Sequence, residues 1–255
     1  MILEIDGMKI NYIKRGVGEK KVLFLHGWGA NIETMIPAMK TIEKQYTTIA
    51  LDLPGFGESD EPNRVWNAYD YGEFINTFLE KLSIKNISIV GHSHGGRTAI
   101  VLSAKYGSKI DKIVLIDSAG LPSKKSFRYY IKVYSFKLLK WIYKSIFFWK
   151  DNKLVMEKFY QKFGSDDYKN AKGIMRSTMV AVLNDNLECL LPKINNQTLL
   201  IWGDEDDATP LYMGKIMENL IKGSGLVVLE NAGHFSYIDQ YGQFDAVMKS
   251  FFEVI

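Results

Sequence analysis

The chain has 255 residues, of which 47% are hydrophobic and 24% are charged, and its formal net charge is +3. This composition is ordinary for a globular protein, and no apolar run approaches the roughly 18 residues needed to cross a bilayer, which excludes an integral membrane protein. The length suits one α/β domain with an insertion. The N-terminus lacks the cationic and apolar pattern of a secretory signal, which predicts a cytoplasmic location.

The predicted elements begin with an antiparallel hairpin in the first sixteen residues, where apolar and polar residues alternate around Asp6-Gly7. Six short apolar runs follow with helical patterns between them, which indicates a mostly parallel, twisted sheet flanked by helices. These continuous apolar runs are typical of strands buried on both faces. The predicted strands are 21–26, 46–52, 86–91, 112–118, 198–203 and 225–230, and the predicted helices are 33–44, 70–83, 94–106, 210–222 and 240–254.

The alternation of strands and helices breaks between residues 121 and 196, where no convincing strand appears. We predict a helical cap over 121–196 and a core formed by 1–120 and 197–255, with the cap at the sheet edge where open α/β sheets bind ligands. From Leu121 to Gln197 there are 15 Lys and Arg against 6 Asp and Glu. No nucleic-acid-binding signature accompanies this charge, so we expect no nucleic acid partner. A membrane-surface contact through the cap is a minor alternative.

Cys189 is the only cysteine, so the chain forms no internal disulfide and has neither a CxxC pair nor a Cys/His metal cluster. A lone cysteine is expected to be a small buried residue.

The stretch GHSHGG places Ser93 between a predicted strand and a predicted helix. The glycines on either side allow a tight turn, and the strained serine at its apex is held clear of the sheet as a nucleophile. A G-x-S-x-G pattern also arises by chance in about one chain in ten of this length. The interpretation of Ser93 as a nucleophile therefore depends on the predicted strand before it and the predicted helix after it.

A serine nucleophile needs a base, and the chain has four histidines: His26, His92, His94 and His234. His92 and His94 flank the serine too closely for their rings to reach it easily, and His26 ends the first parallel strand. His234 follows the last apolar run, and we predict that it is the base.

The third member of a triad is a carboxylate that orients the histidine. The stretch WGDEDDATP follows a predicted strand, and the order serine, acid, histidine is the one expected for this topology. We predict Asp206 as the acid, with Asp117, at the end of another strand, as the alternative.

The oxyanion of a tetrahedral intermediate needs hydrogen-bond donors. We predict the backbone N–H of His94, the residue after the nucleophile, and that of Trp28, in the glycine-containing loop HGWG after an early strand. This chemistry requires no metal and no organic cofactor.

Five motifs, in order, resemble those of the α/β-hydrolase superfamily, in its esterase-like branch with a helical cap: HGWG, DLPGFGESD, GHSHGG, WGDEDDATP and NAGHF. The resemblance implies an α/β-hydrolase fold, with Ser93 as nucleophile, Asp206 as acid and His234 as base. The cap matches no pattern that we recognise. The sequence departs from the family after the histidine, in FSYIDQYGQF, and at Arg97, which needs a carboxylate or carbonyl partner inside a buried helix.

We therefore expect a serine hydrolase that cleaves a small to medium apolar ester through an acyl-enzyme. The alternatives are a carbon–carbon bond hydrolase of the meta-cleavage type and a non-catalytic ligand receptor on the same fold. The sequence does not separate the ester from the carbon–carbon bond, and it leaves the oligomeric state open.

Overall fold

The computed structural model describes residues 1–122, 134–139, 141–142, 145 and 171–254. Its strands are β1 (Ile2–Ile5), β2 (Met8–Arg15), β3 (Lys21–Leu25), β4 (Thr47–Leu51), β5 (Ile87–His92), β6 (Ile110–Ile116), β7 (Gln197–Gly203) and β8 (Gly225–Leu229). The helices that we label are α1 (Ile32–Lys40), α2 (Ala68–Lys81), α3 (His94–Tyr106), α4 (Gly173–Asn184), α5 (Tyr212–Leu220), α6 (Ser236–Asp239) and α7 (Tyr241–Phe252).

These eight strands form one sheet in the order β1-β2-β4-β3-β5-β6-β7-β8. β1 and β2 form the predicted hairpin, and β2 pairs antiparallel with β4. All the remaining pairs are parallel. The predicted fold class, a mostly parallel sheet flanked by helices, is confirmed. Because β3 to β8 run in the same direction, the loops that follow them meet at one edge of the sheet.

The central strands bury side chains on both faces, as their continuous apolar sequences predict. In β3, Leu23 and Leu25 pack into the core on one face, while Val22 and Phe24 pack into the core on the other. The first core includes residues of α2, α3 and α5, and the second includes residues of α1 and α7. Helices therefore cover both faces, which is the arrangement that parallel sheets require.

Local capping fixes where the early helices begin. Asn67 caps α2 by accepting hydrogen bonds from the amides of Tyr69 and Asp70, and the Asp70 carboxylate accepts from the Asn67 amide in return. This reciprocal pair satisfies amides that have no partner within the helix. The buried Asp52, just after β4, accepts from the amide of Ile32, the first residue of α1.

The described part of segment 121–196 includes α4 and a 3-10 helix at Glu188–Lys193, and no strand occurs among its described residues. Residues 134–139 and 141–142 are also helical. The rest of the predicted cap lies outside the described residues, so its boundaries stay a prediction. Among the described residues no helix is both long and apolar enough to span a bilayer.

The expectation of a buried cysteine is wrong, because Cys189 is exposed. It lies in the 3-10 helix, which turns Leu190 and Leu191 toward the core instead.

Candidate active site

Three loops at the carboxyl edge of the sheet bring a serine, a histidine and an aspartate together. Ser93 directly follows β5, Asp206 follows β7, and His234 follows β8. These residues are far apart in the sequence, and the parallel order of their strands places the loops side by side.

Ser93 occupies a tight turn between β5 and α3. Its backbone has φ 52° and ψ −111°, a conformation that a residue with a side chain rarely adopts. The turn is held because the Ser93 amide donates to the carbonyl of Ile116 at 3.1 Å and its carbonyl accepts from Ala119 at 3.0 Å. Strain of this kind persists only where the surrounding structure imposes it, and it occurs mainly at functional sites.

The turn also requires glycine after the serine. A Cβ atom on Gly95 would lie 2.1 Å from the carbonyl oxygen of Leu25 at the end of β3. Because this oxygen belongs to the backbone of a central strand, it cannot move aside without disturbing the sheet. The close approach lets α3 begin directly above the strands.

Gly95→Ala should therefore lower the free energy of unfolding by about 1–3 kcal/mol or more, the cost of overpacking a dense core. Gly242→Ala provides a matched control, because Gly242 is exposed in α7 and a Cβ atom there would meet nothing within 4 Å. This control should raise stability by up to about 1 kcal/mol through helix propensity. Urea denaturation of both variants measures the difference, and equal stabilities would contradict the prediction.

The three side chains form a continuous hydrogen-bonded chain. His234 Nε2 lies 3.0 Å from Ser93 Oγ, and His234 Nδ1 lies 2.9 Å from Asp206 Oδ2. The Asp206 side chain is fully buried, whereas the His234 side chain is 24% exposed. The imidazole can thus accept the serine proton through one nitrogen while the carboxylate fixes the other.

Asp206 is held in place by the residues that follow it. Its Oδ1 accepts from the amides of Ala208 at 2.8 Å and Thr209 at 2.9 Å, and the Thr209 hydroxyl donates to Oδ2 at 2.7 Å. Burial raises the pKa of this carboxyl, but the hydrogen bonds from His234 and Thr209 outweigh it, so the pKa lies below its ordinary value. The carboxylate is therefore ionised and correctly oriented to pair with an imidazolium.

Asp117, the alternative acid, faces different partners. Its Oδ1 accepts from the Gly203 amide at 2.9 Å, and its Oδ2 accepts from the amide and the hydroxyl of Ser236 at 3.1 and 2.6 Å. Burial raises its pKa to about 7, although the hydrogen bonds from Ser236 and Gly203 oppose the shift. The structure thus pairs His234 with Asp206, while Asp117 connects the end of β7 to the start of α6.

The other three histidines are buried and serve as structural groups. His26 donates from Nδ1 to the Gly27 carbonyl and accepts from the Leu53 amide at Nε2, which ties the loop after β3 to the loop after β4. His92 donates from Nε2 to the His234 carbonyl at 2.7 Å. The His94 ring packs against aromatic rings, those of Trp28, Phe56 and Tyr71.

The residues that carry the two predicted oxyanion amides, Trp28 and His94, border the same cavity as Ser93. Within the described part of the chain, neither the Trp28 amide nor the His94 amide donates a hydrogen bond. The His94 amide is the first of α3, where helix amides have no partner inside the helix and favour negative charge. The Gly27 position lies against the turn, since a Cβ atom there would be 3.3 Å from Ser93 Cβ.

A cavity of about 430 Å³ opens beside the serine. Ser93, His234, Trp28 and Arg97 all border it. Much of the remaining wall is apolar and comes from separate parts of the chain, namely Ala30, Ala119, Leu121, Met179, Val182, Leu183, Ala208, Met213 and Phe235. The site can therefore hold an apolar group next to a nucleophile.

Thr209 and Ser236 hold the site together, although the sequence motifs did not single them out. Thr209 Oγ lies within hydrogen-bond distance of the Asp206 carboxylate and of the Asp117 carbonyl. Ser236 binds the Asp117 carboxylate. In the sequence, the one indication of their roles was their position close to predicted site residues. Thr209 lies three residues after the predicted acid, and Ser236 lies two residues after the predicted base.

The family model for the alpha/beta hydrolase fold matches residues 20–241. A 2-hydroxy-6-oxononadienedioate/2-hydroxy-6-oxononatrienedioate hydrolase of Escherichia coli (strain K12) is 25% identical, with 96% of this chain and 91% of that protein covered. Lipase 1 of Psychrobacter immobilis is 26% identical, with 96% and 83% covered. An esterase from Exiguobacterium antarcticum has a structure with a TM-score of 0.74 at 23% identity, covering 98% of this chain and 97% of that one.

The family match extends from the residues just before β3 to the first residue of α7, so it includes the three loops that form the site. The sheet order and the helices on both faces agree with the fold that this match describes. The chain belongs to the α/β-hydrolase fold family.

Proposed function

We propose that the protein is a serine hydrolase that cleaves a small to medium apolar ester through an acyl-enzyme. The observation that carries this proposal is the hydrogen-bonded chain from Ser93 through His234 to Asp206, at the wall of a largely apolar cavity. Ser93 is the nucleophile, His234 the general base and acid, and Asp206 the group that orients the imidazole.

In the acylation step, Ser93 Oγ attacks the ester carbonyl carbon while His234 Nε2 takes the hydroxyl proton. The carbonyl oxygen becomes an oxyanion, which accepts hydrogen bonds from the amides of Trp28 and His94. When the tetrahedral intermediate collapses, the bond to the leaving oxygen breaks, and the imidazolium returns the proton to that oxygen. The products of this step are a free alcohol and the Ser93 acyl ester.

In the deacylation step, a water molecule attacks the acyl carbon as His234 removes one of its protons. The same two amides donate hydrogen bonds to the second oxyanion. Collapse releases the carboxylic acid, and His234 gives the proton back to Ser93 Oγ. Asp206 stays ionised throughout and stabilises the imidazolium in each half of the cycle.

The ester is best identified by a series of p-nitrophenyl esters with acyl chains from two to twelve carbons. A burst of p-nitrophenol that equals the enzyme concentration would support the acyl-enzyme. The apolar wall of the cavity predicts that kcat/KM rises with chain length and then falls once the chain exceeds the available space. A receptor on the same fold would release no p-nitrophenol beyond the buffer rate.

Carbon–carbon bond hydrolysis is the second candidate, because the relative from Escherichia coli bears the name of such an enzyme. The same hydrogen-bonded residues could serve that reaction. A vinylogous diketone of the 2-hydroxy-6-oxo-dienoate class, assayed beside the esters, decides between them. A kcat/KM for the diketone well above that for every ester would replace the ester proposal.

The kcat/KM should be higher at neutral pH than at acidic pH, because only neutral His234 can accept the serine proton. Burial lowers the pKa of His26 to about 4 and that of His92 to about 3, and it lowers the pKa of His94 well below its usual range. These three rings stay neutral above pH 5, so they leave the profile unchanged there. Asp117 does titrate in this range, since burial raises its pKa to about 7, so its ionisation contributes to the profile as well.

Initial rates at substrate concentrations far below KM, measured between pH 5 and 9, test this expectation. Higher kcat/KM at pH 7 than at pH 5 is the expected result. Activity that falls as pH rises between these values would contradict the assignment of His234 as the base.

We also propose that segment 121–196 acts as a cap on the cavity. Its described helix α4 contributes Met179, Val182 and Leu183 to the wall, and its N-terminal turns contact the loop after β4 through Met175, near Gly55. A cap of this kind would set the acyl-chain preference.

A further inference from the structure

Arg97 is a nearly buried cation at the wall of the cavity. It is 3% exposed and lies in α3, four residues after Ser93. Its guanidinium donates one hydrogen bond from Nη1 to the backbone carbonyl of Asp185 at 2.8 Å. Among the residues that the structure describes, no carboxylate forms an ion pair with it.

This position is unfavourable for a cation. Burial lowers the pKa of Arg97 to about 10, and the nearby charge of Asp185 opposes that shift only partly. The first turns of a helix also carry the positive end of the helix dipole, which repels a guanidinium and attracts an anion. A single carbonyl leaves most of the donors of the guanidinium fork without a protein partner in the described residues.

The direction of the side chain connects this cation to the nucleophile. Residues four apart lie on the same side of a helix, and helical side chains point toward the N-terminus. A long side chain at position 97 is thus expected to lean toward the end of α3 that carries Ser93, and both residues border the same cavity.

The cavity wall has an apolar part and a cationic part. Leu121, Met179, Val182 and Met213 present apolar surface, whereas Arg97 presents a fork of N–H donors that matches a carboxylate. A purely apolar substrate would bury this cation further without pairing it, which is costly. A substrate with an apolar body and one carboxylate would satisfy both parts of the wall.

We propose that Arg97 binds a carboxylate of the substrate, so that the preferred substrate is an ester that carries one anionic group. This inference rests on the proposed function and narrows it: the substrate is still an ester with an apolar body, and it also carries one carboxylate. Arg97 acts here as a specificity-determining residue, and it takes no part in the proton transfers.

Two matched ester pairs test the proposal. In the first, p-nitrophenyl hydrogen glutarate and p-nitrophenyl valerate differ by a carboxylate at the end of the acyl chain. In the second, 3-butyryloxybenzoate and 3-butyryloxybenzamide differ by a carboxylate on the leaving group. The measured quantity is the ratio of kcat/KM for the charged ester to that for its neutral partner.

In the wild type we expect this ratio to exceed one for at least one pair. Arg97→Gln should lower that ratio by about 10- to 100-fold, the usual effect of losing a hydrogen bond to a charged group. Glutamine is uncharged and shorter than arginine, so circular dichroism and thermal unfolding must show that this variant is folded. Arg97→Lys should give an intermediate ratio, because it keeps the charge but loses the forked geometry.

Lys105→Gln is the matched control, since it removes a cation from the same helix. Lys105 is paired with Glu73 and lies outside the cavity wall, so its variant should keep the wild-type ratio. Ratios that are the same in the wild type, Arg97→Gln and Arg97→Lys for both pairs would overturn the proposal. They would leave Arg97 as a support for the Asp185 backbone alone.

A binding measurement separates this proposal from the proposed function. Titration calorimetry of Ser93→Ala with glutarate and with 3-hydroxybenzoate needs no turnover. Binding of either acid that weakens at least tenfold in Ser93→Ala/Arg97→Gln would support the anion site even if no ester is hydrolysed. Absence of binding of both acids, or equal binding by the two proteins, would overturn it even if neutral esters are good substrates.

Discussion

Replacing Ser93 by alanine is expected to lower kcat for p-nitrophenyl butyrate by about 10⁴-fold or more, because the covalent route is lost completely. In the proposed mechanism Ser93 Oγ accepts the acyl group, and no other hydroxyl is within hydrogen-bond distance of His234 Nε2 in the described residues. A fluorophosphonate probe should also label the wild type at Ser93 and leave the variant unlabelled, as read by peptide mass spectrometry.

Ser103→Ala is the appropriate control for this prediction. Ser103 is buried in the same helix, and its hydroxyl has no hydrogen-bond partner in the described residues. Its removal should leave activity and labelling at the wild-type level. Turnover by folded Ser93→Ala within tenfold of the wild type would rule out Ser93 as the nucleophile.

Asp206→Asn should cost about 10⁴-fold in kcat while the fold stays intact. The amides of Ala208 and Thr209 both donate to Oδ1, so the asparagine carbonyl must occupy that position. Its NH₂ group then faces His234 Nδ1 and must donate to it. This contact forces the ring proton onto Nε2, and the imidazole can no longer accept the proton of Ser93.

Asp207→Asn removes a carboxylate one residue away and serves as the matched control, because Asp207 is exposed. It should leave kcat unchanged. If Asp117→Asn lost activity by 10⁴-fold and Asp206→Asn retained it, the acid would be Asp117 instead. Circular dichroism and thermal unfolding of each variant distinguish lost chemistry from lost structure.

The sequence predicted the sheet because strand burial and helix periodicity are local properties. The run at 198–203, for example, became the buried strand β7 at Gln197–Gly203. The run at 225–230 became β8 at Gly225–Leu229, but in this edge strand only Leu229 is buried, so burial on both faces was wrong there. Ser93 and His234 could also be selected, since the flanking glycines and the elimination of three other histidines left few choices. The 3.0 Å distance between Ser93 Oγ and His234 Nε2 depends on the order of the strands in the sheet. A single sequence shows that order only indirectly.

The choice between Asp206 and Asp117 could not be decided from local patterns. Both follow strands that end at the same edge of the sheet, so position alone permits either one. Side-chain direction decides their pairing, and it depends on distant partners: Asp117 turns to Gly203 and Ser236, which are 86 and 119 residues away. The hydrogen-bond partner of Arg97 could not be predicted from the local sequence either, because Asp185 is 88 residues farther along the chain.

Asp117 has a consequence for how the site loses its geometry. The Asp117 carboxylate accepts hydrogen bonds from the end of β7, which leads to Asp206, and from the start of α6, which follows His234. Local opening at either place would break hydrogen bonds of the same carboxylate, so we expect Asp206 and His234 to lose their positions together. The activity that we propose would then be lost in one cooperative step and not gradually.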